Sequence, residues 1–378
     1  MRIALVHDWL TGYRGGERVL QHLARRFPDA DLFTLFHRPG RVPREIERLR
    51  ITTSALDRLP GARKHYRKLL PLFPWAVGRF DLRGYDLVLS TSHAVAKSVR
   101  VPPDVPHLDY CFTPMRYVWD QADAYLGRGL RRAAARPAID ALRRFDVARS
   151  GPETVTRFVA ASQEVAGRIR RHYGREANVV APPVDTSWIR CASGPPEDFY
   201  LLVGGFVPYK RDALAVEAFG RLRRRLVVVG DGPGRAALER RAPPQVEFLG
   251  RVPDTALASL YRRCRALIQP QCEDFGLTAV EAQAAGRPVI AFGRGGALDT
   301  VKPLPADDLD GARGARRATG VFFHEPTPDA LATAVERFEK NESAFDPQRI
   351  RSWAESFAPA RFDRALDREI AATLEAAR

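Results

Sequence analysis

Between residues 199 and 292, short apolar runs alternate with stretches of helical period, and no other feature constrains the fold as much. "FYLLVGG" (199–205), "RLVVVG" (225–230), "VEFLG" (246–250), "RALIQP" (265–270) and "PVIAF" (288–292) read as strands. "RDALAVEAFGRL" (211–222), "RAALERR" (235–241), "DTALASLYRRC" (254–264) and the stretch after Gly276 read as helices, the third capped by Asp254. Strands this apolar are covered on both faces, so the series predicts a parallel sheet with helices on each side, a Rossmann-type domain.

The N-terminal half opens the same way. "RIALVHD" leads through a glycine-containing loop to the helix "GERVLQHLARRF", and "DLFTLF" (31–36), "DLVLSTS" (86–92), "HLDYCF" (107–112) and "TRFVAAS" (156–162) read as further strands. The arginine-rich piece 126–150 reads as a helical insertion. Prolines in "APPVDTSW" (181–188) end one series before the next begins. A chain of 378 residues accommodates two domains. They are expected at 1–187 and 188–359, with the amphipathic helix of 360–378 returning to the first. Parallel sheets bind ligands at the carboxyl ends of their strands. The expected class is therefore α/β, two Rossmann-like domains facing across a cleft.

Charge is unevenly divided. Residues 1–190 carry 33 basic and 19 acidic side chains, whereas 191–378 carry 27 and 26. A field of that size on one half points to an anionic partner there, whether nucleic acid, anionic membrane or phosphate-bearing substrate. "RLPGARKHYRKLLPLFPWAVGRF" (58–80) mixes Arg and Lys with Leu, Phe and Trp75, which suits docking on an anionic membrane surface and equally suits a solvated face over core. No apolar run approaches the roughly 20 residues of a membrane span, and the short run at the N-terminus is not a signal peptide. A cytoplasmic chain, peripheral on the inner membrane face, is the expectation. The four cysteines are scattered without metal-ligand spacing, so no metal is expected.

Glu273 and Glu281 lie eight residues apart in "QCEDFGLTAVEAQAAGRP" (271–288). In one continuous helix they would stand about 80° out of line, but "DFG" between them is a helix start. Gly276 then opens a helix whose first amides, at Phe275, Gly276 and Leu277, are free for an anion, with about half a positive charge from the dipole. Glu273 would sit beside a group carried on the phosphates, and Glu281 would reach hydroxyls on their other side. Two surface glutamates on a capped helix is the plainer alternative.

Lys210 and Arg211, in "GGFVPYKRD", follow the first strand of this domain. Cations at a helix N-terminus oppose the dipole unless an anion joins them, so they point to the same phosphates. "GDGPGRAALE" (230–239) has Arg235 where a dinucleotide fingerprint needs its third glycine, and reads equally as a tight turn. "YRGGERVL" (13–20) places Gly15 and Gly16 at the start of the first helix, a second anion-tolerant terminus or an ordinary turn.

"EDFGLTAVE", Lys210 in "VPYKR", "GDGP", "LGRVPD" and "GRPVIA" together resemble the retaining GT-B glycosyltransferases of family four. "HDWLTGYRGGERVL" and "TPMRYVWD" extend the likeness over essentially the whole chain and resemble the mannosyltransferase-like branch that builds bacterial surface polysaccharides. The resemblance implies a nucleoside-diphosphate sugar as donor, GDP-mannose favoured, and no cofactor or metal. It implies Glu281 on the ribose hydroxyls, and Glu273 with the Phe275, Gly276 and Leu277 amides on the transferred sugar and diphosphate. Lys210, helped by Arg211, would neutralise the departing diphosphate, and Gly16 would let the first loop approach the phosphates. The N-terminal domain would bind a glycan or polyprenyl-diphosphate-linked acceptor, with Arg116, Tyr117 and Trp119 the candidates. Two positions depart from the family: Gly205 stands where many members have arginine, and Phe112 where related proteins carry a histidine toward the transferred sugar. His93 and His107 are not evident replacements.

Cations and helix amides can stabilise a leaving diphosphate unaided. "DAD" (29–31) precedes a strand and reads as a turn, not a metal motif. Retention then follows a dissociative, oxocarbenium-like path in which the leaving phosphate draws the acceptor proton on the same face. A non-catalytic sugar-nucleotide binder is the alternative that Phe112 and Gly205 raise. A nucleic-acid-binding protein would use the basic half but leaves Glu273 and Glu281 without a role.

Overall fold

The computed structural model describes residues 1–120, 130–305 and 317–377. The chain divides into two compact units, Met1–Pro183 with Phe362–Arg378, and Val184–Arg361.

In the first unit, seven strands form one parallel sheet: β1 (Ile3–His7), β2 (Asp31–Thr34), β3 (Arg50–Thr53), β4 (Leu87–Ser92), β5 (His107–Cys111), β6 (Arg157–Ala160) and β7 (Ala177–Val179), ordered β3-β2-β1-β4-β5-β6-β7. Successive residues of β1 enter different cores. Ile3 and Leu5 join Val19, Leu20 and Leu23 of α1 (Gly15–Arg26). Ala4 and Val6 join Phe73, Val77 and Tyr85 on the other face. Both faces are covered, which is why the strand is apolar throughout. The arginine-rich segment contains α2 (Leu130–Ala148), while 121–129 lie outside the described residues. α3 (Gln163–Tyr173) starts where Ser162 accepts from the Val165 amide and stops at Gly174 in the left-handed conformation.

Residues 58–80 form no continuous amphipathic helix. They break into short turns at Ala62–His65, Tyr66–Leu72 and Phe73–Val77, with Pro71 and Pro74 removing backbone donors. Tyr66, Phe73, Ala76, Val77 and Phe80 are buried, and Leu59, Leu72 and Trp75 remain exposed.

The second unit holds a six-stranded parallel sheet of β8 (Tyr200–Gly204), β9 (Leu226–Gly230), β10 (Val246–Gly250), β11 (Leu267–Gln269), β12 (Val289–Phe292) and β13 (Gly320–Phe323), ordered β10-β9-β8-β11-β12-β13. Its helices include α4 (Asp212–Leu222), α5 (Asp254–Arg263), α6 (Leu277–Ala284), α7 (Pro328–Lys340) and α8 (Pro347–Ala354). Asp254 is the first helical residue of α5, not its cap; Pro253 holds the cap position with its fixed backbone angle. The stretch "RAALERR" gives helix only over Arg235–Glu239.

The C-terminal helix α9 (Pro359–Ala376) packs on the first unit. Phe362, Leu366 and Ile370 enter the core that α1 lines. Asp363 meets His22 Nε2 at 2.8 Å and Arg26 at 2.9 Å, and Arg26 also pairs with Asp367.

In each sheet the chain reverses its direction of winding once, between β1 and β4 and between β8 and β11. Such switch points open a crevice beyond the carboxyl ends of the two strands.

Candidate active site

In the second unit the predicted donor residues gather beyond β8 and β11. Pro270 follows β11 directly, and Gly276 takes φ +96° before α6 begins. Only glycine adopts that angle readily, and a Cβ there would lie 2.9 Å from Gln269 Nε2. Beyond β8, the turn Pro208–Lys210 presents Lys210. Its Nζ donates to Glu273 Oε1, which also accepts from Gln271 Nε2 at 3.0 Å. Lys210 and Glu273 are thus brought together beside the α6 terminus. Burial works against the ammonium charge, but the charges of Glu273 and Tyr209 outweigh it and raise the Lys210 pKa. Lys210 is therefore a cation at neutral pH. Nearby, burial pushes Asp212 up to about 6.

Glu281 lies inside α6, buried, with Oε2 accepting a 2.8 Å hydrogen bond from the Tyr261 hydroxyl of α5. The two glutamates occupy different surroundings: Glu273 is paired with a cation ahead of the helix, and Glu281 is anchored by a phenol within it. Arg211 adopts a left-handed conformation at the start of α4. Its guanidinium lies 4.6 Å from the Phe292 ring centroid, with Nη1 buried and without a hydrogen-bond partner. Phe275 and Leu277 flank Gly276, and Phe275 is buried against the Phe357 ring.

The glycines of "GDGPG" are explained by packing. A Cβ on Gly230 would collide with the Gly204 carbonyl, and one on Gly232 with that of Gly205. The loop after β9 therefore lies directly on the loop after β8. Gly205 itself has nothing within 4 Å of where its Cβ would stand.

Several contributors escaped the sequence reading. Tyr261 is one. The loop 293–296 is another: the Gly296 amide donates to the Glu273 carbonyl at 2.8 Å, and a Cβ on Gly296 would run into Phe275. That loop buttresses the segment ahead of α6. Gln269 is a third, buried at the end of β11 with neither amide atom hydrogen-bonded. The repeated glycines of "GRGG" were a visible signal; Tyr261 and Gln269 carried none.

The remaining predicted residues belong to the first unit. A Cβ on Gly16, in the first turn of α1, would stand 3.3 Å from the Phe112 ring and 3.7 Å from that of His7. Tyr117 lies 6.4 Å from Trp9, ring centroid to centroid, and the Arg116 charge acts on His93. Trp119 faces elsewhere: it stacks on His172 at 4.4 Å and donates from Nε1 to Asp146 at 2.8 Å. His107 is buried, with Nδ1 against the Thr154 carbonyl and Nε2 against Ser90. The DAD stretch opens β2, and Asp31 accepts from Arg50, Arg2 and Tyr85.

Two parallel Rossmann-like sheets define the GT-B architecture, and solved structures agree over nearly the full chain. HepE (Alr3699) of Anabaena in complex with UDP aligns with a TM-score of 0.70 at 15% identity, covering 98% of this chain and 100% of that one. Sucrose-phosphate synthase of Thermosynechococcus elongatus aligns at 0.73 with 18% identity, covering 98% and 100%. Residues 192–355 match the family model of Glycosyl transferases group 1. Among curated proteins, the D-inositol 3-phosphate glycosyltransferase of Geodermatophilus obscurus is 34% identical over 234 residues, 47% of this chain and 52% of its own length. That of Thermomonospora curvata is 35% identical over 195 residues, 40% and 45%. The chain spans about half the length of these relatives. The fold is that of the GT-B architecture, and the second unit's sequence is similar to glycosyl transferases group 1.

Proposed function

We propose that the protein is a retaining glycosyltransferase of family four. It moves a hexose, mannose by preference, from a nucleoside-diphosphate sugar to a glycan or polyprenyl-diphosphate-linked acceptor in surface polysaccharide synthesis. The observation that carries this is the arrangement at the β8–β11 switch point. A protonated Lys210 paired with Glu273 stands beside a helix N-terminus opened by a left-handed Gly276, and Tyr261 holds Glu281 inside that helix. A diphosphate takes Lys210 and the α6 amides, the ribose takes Glu281, and the hexose takes Glu273. Lys210 and the helix dipole supply the positive field that a departing diphosphate needs, so the reading calls for no metal. The leaving phosphate then receives the acceptor hydroxyl proton on the face it vacates, which retains configuration. The UDP and UDP-glucose held by HepE support a nucleotide-sugar donor.

The first unit is assigned the acceptor, with Arg116 and Tyr117 as the candidates that remain once Trp119 is taken up by His172 and Asp146, and Gly16 as the close-approach point of its first loop. Exposed Leu59, Leu72 and Trp75, with Arg79 4.7 Å from the Trp75 ring centroid, support docking at the inner face of the cytoplasmic membrane. No described helix is long and apolar enough to cross a membrane. Flotation with anionic liposomes tests the docking, and absence from the lipid fraction at low salt rejects it.

Isothermal titration with GDP-mannose and UDP-glucose, followed by a product assay, tests the enzyme reading. No binding of either, with Glu281→Ala indistinguishable from the parent, rejects it. Phe112 at the end of β5 favours one rival, a sugar-nucleotide binder without turnover; binding with no product under any acceptor would establish that instead.

A further inference from the structure

The switch point of the first unit carries a second cluster that the reaction outlined above leaves unused. Asp8, His93 and Phe112 are each the first residue beyond the carboxyl end of three adjacent parallel strands, β1, β4 and β5. Asp8 is fully buried. Its Oδ2 accepts from the amides of His93 at 2.7 Å and Ala94 at 2.9 Å, and its Oδ1 from those of Val95 at 2.7 Å and Ala96 at 2.8 Å. Four backbone N–H groups converge on the carboxylate and favour its charged form. Burial raises the Asp8 pKa, and these amides act against that rise.

His93 stands over this anion. Its Nδ1 is 3.1 Å from Asp8 Oδ2, and its side chain is 23% exposed where that of Asp8 is wholly covered. The ring packs edge-on against Trp9 at 4.5 Å and lies 6.4 Å from Phe112. A carboxylate beside Nδ1 favours the tautomer with its proton there, which leaves the Nε2 lone pair as an acceptor. Burial, and then the charges of Arg116 and Arg14, depress the His93 pKa to about 3. So weak a base takes no proton from a sugar hydroxyl at neutral pH, but it can accept a hydrogen bond from one. The half-buried rings nearby, Phe112 and Tyr117, suit the apolar face of a sugar ring, with Trp9 buried beneath them.

We propose that His93 contacts the glycosyl acceptor, taking a hydrogen bond from one of its hydroxyls at Nε2, and that Asp8 is the positioning residue that fixes its tautomer. This rests on the glycosyltransferase reading and assigns the acceptor-side role at a position the sequence had set aside. Phe112 packs against Gly16 at the next strand end, and its side chain has no hydrogen bond to offer. The polar contact on this side therefore comes from the neighbouring strand.

The test uses the full chain labelled with ¹⁵N-histidine, the His93 signals being assigned by their loss in His93→Gln. At pH 7 His93 is expected neutral with its proton on Nδ1, and octyl α-mannopyranoside is expected to shift Nε2 upfield. A proton on Nε2, a charged ring, or an Nε2 signal that the glycoside leaves in place overturns the inference. Where the parent turns over this glycoside, His93→Ala is expected to raise its KM about 10-fold, the scale of one lost hydrogen bond, with the donor KM within about twofold. His93→Gln, whose amide oxygen can replace Nε2, should recover most of that, and His93→Phe should not. A Phe variant equal to the parent would reduce His93 to packing. Failure of the parent to bind any nucleotide sugar, with the tautomer and glycoside shift as expected, would instead remove the donor reading alone.

Discussion

Tyr261 on α5 donates to Glu281 on α6 across 2.8 Å, and both side chains are buried, so the carboxylate assigned to the ribose is aimed before any nucleotide arrives. Tyr261→Phe removes the aim but not the carboxylate. The donor Kd should rise about 3- to 10-fold, the worth of one neutral-to-charged hydrogen bond, with kcat little changed. Glu281→Ala should cost more, because it removes the carboxylate assigned to the ribose itself. Adding Tyr261→Phe to Glu281→Ala should then cost almost nothing further. Calorimetry with the preferred nucleotide completes the cycle, and additive losses would mean that the two residues act independently.

Lys210 bears on the chemical step. Its ammonium is held by Glu273, and it remains charged through neutral pH because the raised pKa lies above its ordinary value. Lys210→Met should lower kcat by about 10²- to 10³-fold, the usual loss when one preorganised charge is taken from a leaving group. No pH change below about 9 should mimic that loss, since the lysine does not titrate there. Single-turnover release of nucleoside diphosphate measures it, and a kcat within threefold of the parent would move the role elsewhere.

Gly205 offers a gain instead of a loss. Nothing lies within 4 Å of its missing Cβ, so the Cβ of an arginine meets no neighbour. A guanidinium reaching the diphosphate adds a charge-assisted hydrogen bond of about 1.5–3 kcal/mol. Gly205→Arg should therefore bind the donor about 10-fold more tightly, with the gain shrinking as salt rises. Unaltered affinity at low salt would show that Lys210 and the amides already satisfy the phosphates.

These residues differ in how visible they were. Glu273, Gly276, Lys210 and the doubly covered strands were legible because each follows from local chemistry. The strands have no polar face, cations ahead of a helix lack a partner, and "DFG" interrupts a period. Glu281 was legible through its spacing from Glu273. Tyr261 was not, because a tyrosine on an amphipathic helix reads as core, and only the packing of α5 on α6 directs its hydroxyl. The "GDGPG" glycines read equally as a nucleotide loop or a tight turn, and they are positions where the end of β9 and its following loop meet the end of β8, which the register of β8 beside β9 reveals. Residues 58–80 read as suiting either membrane docking or a solvated face over core, and the structure breaks them into short turns around Pro71 and Pro74. His93 was visible as a histidine after a strand. Its partner lay 85 residues away, beyond the reach of any local pattern.

Glu17, in the first turn of α1, ties stability to pH. It is 5% exposed, and burial lifts its carboxyl from 4.5 to about 7, although the Arg14 amide donates to it at 2.9 Å. Below about pH 4.5 the group is protonated whether the chain is folded or not, and it costs nothing. As pH rises toward 7 the unfolded chain releases this proton while the folded chain keeps it. Stability therefore falls through that window, by up to about 3 kcal/mol, and is level above it. Glu17→Gln keeps an oxygen for the Arg14 amide and removes the titration. The variant should match the parent near pH 4.5 and exceed it at pH 8. Scanning calorimetry at both values checks this, and equal melting temperatures at pH 8 would mean that Glu17 ionises in place without penalty.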